Sequence, residues 1–329
     1  MASIDDVPVL LCEVPGDHSE SHEDETRLTV RKMGRAAALD LAAVLSLVQA
    51  GKVAVSAKSH RPTPPAIAAV AAALADGEYY TDEPYVLDGC EVTIGPIRAF
   101  AWPMLLQAGG LAQVNGTRLA LTRAGIKALT APAHETLAHL WKRWQRTTLL
   151  DELSTIEAIR GQSGKGARGL TALAGRREAI AAALRDCPQG RWVHVDELFR
   201  YMRASGNDFE VTRHLWNLYF GEKQYGSLGY DGFGGWNVLQ ARYALVVLFE
   251  FAATLGLLDV AFVPPHLTRM DLDGIWGTDE LEFLSRCDGL LYVRPTALGA
   301  WCFGAVDGYE PPPMTVVRRA PKIRAVSRD

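Results

Sequence analysis

The sequence predicts a mainly α-helical chain with small β-hairpins, built as two copies of one unit joined by a helical middle. Three observations carry this: a helix running into an Asn-Gly hairpin near residue 116, the same order of elements returning in the second half, and amphipathic helical spacing between them. The 329 residues leave room for two or three domains, and 48% hydrophobic with 22% charged residues is a soluble globular composition.

Residues 1–26 hold eight acidic side chains and no Lys or Arg, which reads as a disordered acidic arm. Setting these aside leaves 34 basic against 30 acidic residues, reversing the sign of the overall charge of -4. Residues 27–160 read as the first unit with a helical extension. Apolar residues recur at helical spacing from Arg35 to Gln49, and Gly51 supplies the stop. Lys52 to Ser56 alternates like a short strand. Ser59 or Thr63 can cap the next helix, whose first turn accommodates Pro64 and Pro65 because their missing N–H groups have no helical partner there. A further helix through Leu106 ends near Gly109 and Gly110. Two short strands then flank Asn115-Gly116, the pair suited to a type I′ turn, and Thr122 can cap a closing helix through Leu129. A helix feeding such a hairpin is the back half of a winged-helix domain.

The stretch ETLAHLWKRWQRTTLLDELSTIEAIRG reads as one or two amphipathic helices, and residues 161–169, GQSGKGARG, as a linker. Residues 170–310 repeat the pattern. REAIAAALRDCP and HVDELFRYMRASG are helices, and ARYALVVLFEFAATLGLLDVAFV gives a helix, a glycine stop at Gly256 and a strand. GLLYVRPTALGAWCFG then supplies the returning strand. Thr122-x-x-Gly125 is matched by Thr296-x-x-Gly299, and Gly110-Leu111 by Gly256-Leu257. The expectation is a tandem winged-helix protein. Its tail, 311–329, is basic.

No apolar run reaches the roughly 18 to 20 residues a membrane span needs, and the N-terminus lacks the pattern of a secretion signal, so a cytoplasmic address is expected. Cys12, Cys90, Cys187, Cys287 and Cys302 are odd in number and form no C-x-x-C pair, as ordinary reduced thiols would. GQSGKG lacks the spacing and the Ser or Thr of a phosphate-binding loop, and the eight histidines make no metal or catalytic spacing. The expectation is a chain without enzymatic activity, cofactor or metal.

Three places carry binding chemistry. Lys58, Ser59, His60, Arg61 and Thr63 precede a helix N-terminus, where free N–H groups favour phosphate, and Arg118 and Arg123 lie on and after the hairpin. With Arg318, Arg319, Lys322 and Arg324 of the tail they form a candidate DNA-binding set. Trp141-Lys142-Arg143-Trp144 with Arg146 interleaves rings and cations, although Leu137, Leu140, Trp141 and Trp144 also make a core stripe. From Tyr219 to Asn237, six aromatics stand among six glycines; Tyr225, Tyr230, Phe233 and Trp236 are candidates for a partner-binding surface.

The run KVAVSAKSHRPTPPAIAAV with the GGLAQ…LALTRAG hairpin resembles the helicase-associated, winged-helix-like regions of bacterial proteins related to XPB-type helicases, over about the first 130 residues. That resemblance implies a DNA-linked accessory to a helicase or nuclease; no motor motif accompanies it. The sequence thus leads to a DNA-binding or adaptor protein of genome maintenance or defence, with helicase, nuclease or condensin-like subunits as partners. A scaffold without DNA contact and a transcriptional regulator are the alternatives.

Overall fold

The computed structural model describes residues 28–80, 85–87, 90–269, 272, 274–279 and 281–311. The acidic arm and the basic tail, with Arg318, Arg319, Lys322 and Arg324, lie outside them. The fold is mixed α/β, 43% helical, with a small antiparallel sheet.

The first half contains β1 (Thr29–Arg31), α1 (Met33–Gln49), α2 (Pro64–Ala71), the β2–β3 ribbon (Tyr85–Leu87, Cys90–Val92), α3 (Arg98–Ala108), the β4–β5 hairpin (Ala112–Asn115, Arg118–Leu121), α4 (Arg123–Ala128) and α5 (Ala133–Trp144). The second contains α6 (Leu173–Asp186), β6 (Val193–His194) and α7 (Val195–Ser205). A continuous helix over 237–252 follows, α-helical only at α8 (Arg242–Leu245) and π-wound at Asn237–Ala241 and Val246–Ala252. β7 (Leu258–Phe262), β8 (Leu290–Pro295) and α9 (Ala297–Phe303) complete it.

With β1, the β2–β3 ribbon and α5 set aside, the first half runs helix, short bridged segment, helix, helix, strand, strand, helix, the order that the second half follows with β6 as its short strand, and in both that short segment lies antiparallel to the last strand. Ala54 bridges Arg118 of β5, as Val193 of β6 pairs with Val293 of β8. The closing turns match atom for atom. Thr122 N–H donates to the Leu111 carbonyl and Thr296 N–H to that of Leu257, both at 3.0 Å. The Thr122 and Thr296 hydroxyls donate to the carbonyls of Gly110 and Gly256 at 2.7 and 2.8 Å, and accept from the N–H of Gly125 and Gly299 at 3.1 and 3.0 Å. Gly110 and Gly256 carry φ values of +69° and +73°, a backbone state that side chains disfavour.

The halves are joined by more than the 161–169 segment. β1 pairs with β7, giving the sheet order β1-β7-β8-β6, and one hydrophobic core includes residues from both halves. Asp259 of β7 accepts from the Met33 N–H that opens α1 (2.7 Å) and pairs with Arg294. The two third helices, α3 and 237–252, pack against each other. Ala99, Ala101, Trp102, Met104, Leu105 and Leu106 of one, and all of 241–252 of the other, are buried. Glu78 caps α3, accepting from the N–H groups of Ile97, Arg98 and Ala99.

Two local expectations are corrected. Neither Ser59 nor Thr63 caps α2 through its side chain, because Pro64 and Pro65 remove N–H groups that a cap would serve. The hairpin register pairs Asn115 with Arg118, so the two turn residues are Gly116 and Thr117; only Gly116 has positive φ (+62°), as a type II′ turn requires at its first position. Of the one or two amphipathic helices expected from Glu135 to Gly161, α5 is one; after it comes only a short 3₁₀ turn at Glu152–Thr155, and there the carbonyls of Thr147 and Leu150 accept from the Arg177 guanidinium.

Candidate interaction surfaces

The basic turn is a tight loop closed by Ser56 N–H donating to the Arg61 carbonyl (2.9 Å) and His60 N–H to the Ser56 carbonyl (2.8 Å). His60 sits at φ +58°, the one left-handed non-glycine residue among those described, and its carbonyl accepts from the Gln107 amide at 3.0 Å. Lys58 and Ser59 are exposed at the tip. Arg61 is turned inward, donating to the Ser154 hydroxyl (2.5 Å) and lying 5.9 Å over the Phe100 ring. Thr63 donates to the Ala54 carbonyl at 3.4 Å. Arg118 is exposed but bonded to the Gly51 carbonyl at 2.9 Å, and Arg123 is exposed at the start of α4. The structure therefore brings the turn and the hairpin together through the Ala54–Arg118 bridge, with Arg61 already engaged within the fold.

The glycine and aromatic segment divides in two. Trp236 donates its indole N–H to Asp208 (2.7 Å) and packs on Phe199, and Phe220 is buried. Tyr225 and Tyr230 stay 51% and 41% exposed, joined by Trp216 (56%) and Trp276 (41%), two residues outside the predicted segment. Trp216 lies on Gly229, whose absent Cβ would come within 2.3 Å of the ring, and meets Tyr230 edge-on at 5.0 Å. Trp276 lies similarly over Gly221 and Gly226 and contacts Tyr225 at 5.2 Å. Tyr230 donates to the Gln224 carbonyl (2.7 Å) and meets the half-buried Phe233 at 5.9 Å, which ties the two pairs into one face. The glycines thus serve as beds for the rings. Beside Trp276 an open cleft of about 820 Å³ is lined by Glu157, Arg160, Glu222, Asp279, Leu281 and Phe283, among others.

Trp141 and Trp144 of the interleaved motif belong to the core, whereas Lys142, Arg143 and Arg146 are exposed. The deeper charges are paired inside the fold: Asp40 with Arg98, Glu152 with Arg177, Arg242 with Asp288, and Glu250 with Arg286, which also lies 5.0 Å over Phe100. Burial raises the pKa of the Asp40, Glu250 and Asp288 carboxyls, and the neighbouring guanidinium opposes that rise in each case. Burial also pushes the Cys187 and Cys302 thiols up to about 12, so both remain protonated near neutrality. Among the described residues, no group of three His, Cys, Asp or Glu side chains is placed to hold a metal, and no helix is long and apolar enough to cross a membrane.

Compared with known families, curated proteins and solved structures, the chain matches none.

Proposed function

We propose that this chain is a non-enzymatic adaptor made of two winged-helix units fused through their third helices, with the Trp216, Tyr225, Tyr230 and Trp276 face as its partner-binding surface. The repeated element order, the pairing of first strand with third, and the matched threonine turns support the tandem assignment. A winged-helix unit that reads DNA presents its third helix to the major groove. Here α3 and the 237–252 helix are packed on each other, so neither is free for that use. The observation that carries the adaptor reading is the aromatic face, since exposed rings held on glycine beds offer area at little entropic cost. With Trp216 and Tyr230 both changed to Ser, affinity for a partner captured by the wild type should fall at least about thirtyfold. Undiminished affinity would reject this face.

A second reading, DNA contact by the first unit, is favoured by Lys58, Arg118 and Arg123 remaining exposed on stitched-together loops. Low-salt titration with a DNA duplex should then show Lys58→Ser/Arg118→Ser binding more weakly, with a salt slope shallower by about 0.9 for each phosphate that is no longer neutralised. Equal slopes for variant and wild type would eliminate it. A genome-maintenance or defence setting, with a helicase, nuclease or condensin-like partner, fits either reading.

A further inference from the structure

We propose that the groove between α5 and α9 binds single-stranded nucleic acid, with phosphate held by Lys142 and Arg146 and a base stacked on Trp301. The two helices pack through Trp141 and Phe303, whose rings lie 5.6 Å apart. Beside this contact an open groove of about 320 Å³ is lined by Ala138, Trp141, Lys142, Gln145, Arg146, Trp301 and Cys302. Lys142 and Arg146 are four residues apart, so they share one side of the chain as it leaves α5. Both are exposed, as is Arg143, and none of the three forms an ion pair among the described residues. The buried arginines are matched to carboxylates; these surface cations are not.

The opposite wall is a ring. Trp301 is half-buried and held by Tyr309 in a near-parallel stack, with centroids 5.9 Å apart and planes 17° off. Below, the Trp141 side chain is buried and its indole N–H has no hydrogen-bond partner, an orphaned donor beside a cationic rim. A ring next to paired cations is the combination that single strands use, because every base offers a face for stacking while phosphates meet the charge. A duplex keeps its bases stacked on one another and has none to offer.

The chain also leaves the described structure here. Tyr309 lies against Trp301 and His134, and the sequence beyond Pro311 carries Arg318, Arg319, Lys322, Arg324 and Arg328 against the single acid Asp329. Asp307 and Glu310 flank Tyr309 in the sequence. This inference is independent of the aromatic face and of the first-unit hairpin.

The test is fluorescence anisotropy of labelled oligothymidylate with the full chain across a salt series. Lys142→Glu/Arg146→Glu, two exposed positions, should weaken binding at least about tenfold and make the salt slope shallower by about 1.4. Trp301→Leu, with its fold checked by thermal melt, should weaken binding about tenfold at an unchanged slope. No binding at low salt, or equal affinity and slope in the charge-reversed variant, would overturn the proposal. So would tighter binding of a duplex of the same length, loss confined to Arg118→Ser/Arg123→Ser, or displacement of the oligonucleotide by polyglutamate at equal charge.

Discussion

Glu152→Ala is expected to lower the unfolding free energy by about 4 kcal/mol, because it leaves a guanidinium buried without its carboxylate. Arg177 and Glu152 are both wholly inaccessible and are joined by two hydrogen bonds, of 2.6 and 3.1 Å. Burial works against the arginine's charge, and the charge and hydrogen bonds of Glu152, with Tyr243 and Asp151 behind them, together more than offset it, so the Arg177 pKa is raised. Tyr243, from the 237–252 helix, donates its hydroxyl to the same carboxylate at 2.6 Å. The guanidinium also donates to the carbonyls of Trp144, Thr147 and Leu150 and lies 4.7 Å over the Trp144 ring. One residue of α6 therefore holds the irregular connection between the halves. In an isolated buried pair, replacing both partners by apolar residues restores most of the stability that a single replacement removes. Glu152→Leu/Arg177→Met should recover only part of it, because the carbonyls of Thr147 and Leu150 lose the donor that Arg177 supplies. Chemical denaturation of the single and double variants checks both statements. A Glu152→Ala value within about 1 kcal/mol of wild type would show that the site relaxes around the exposed charge.

The two matched closing turns were legible in the sequence because each needs particular residues: a threonine hydroxyl to cap, and a glycine three positions later where no Cβ fits. Helices α1, α6 and α7 were legible from apolar spacing and their end signals. What escaped was non-local. The pairing of β1 with β7 depends on three residues meeting a strand more than two hundred positions away, and short strands leave almost no periodic trace. The packing of α3 on the 237–252 helix is visible in sequence only as two strongly apolar stretches, which any buried helix shows. Arg61, read as a free cation, finds Ser154 and Phe100 in distant segments. Trp216 was missed because it stands three residues before the glycine-rich run, and Trp276 because it lies in a segment that meets the run only on folding. Trp276 did carry one local sign, a glycine on its C-terminal side.

The matched turns also set the second large effect, in which one substitution at equivalent positions of the two turns should have unequal cost. A Cβ at Gly299 would stand 1.9 Å from the Leu257 carbonyl oxygen and 2.8 Å from its carbon; at Gly125 it would stand 2.0 and 3.0 Å from the same atoms of Leu111. Both collisions are with backbone, so a helix or a strand must move. Leu257 leads into β7, which is paired on both edges, by β1 and β8, and is buried along its whole length. Leu111 leads into β4, an edge strand that among the described residues pairs only with β5, and β5 is held on its other side by nothing longer than the Val53–Val55 segment, so this hairpin yields more readily than a strand inside the sheet. Gly299→Ala should therefore cost on the order of 4 kcal/mol, and Gly125→Ala about half as much. Gly175→Ala is the control: that residue lies near the start of α6 with nothing within 4 Å of the added carbon, and the change should stabilise by about 0.5–1 kcal/mol through helix propensity and a less flexible unfolded chain. Denaturation midpoints of the three variants give the ranking. Equal losses at positions 125 and 299 would mean that the four-stranded sheet is no stiffer than the smaller hairpin, and no loss at either would mean that the close approach of α4 and α9 to the preceding backbone is not what holds the two turns in the same geometry.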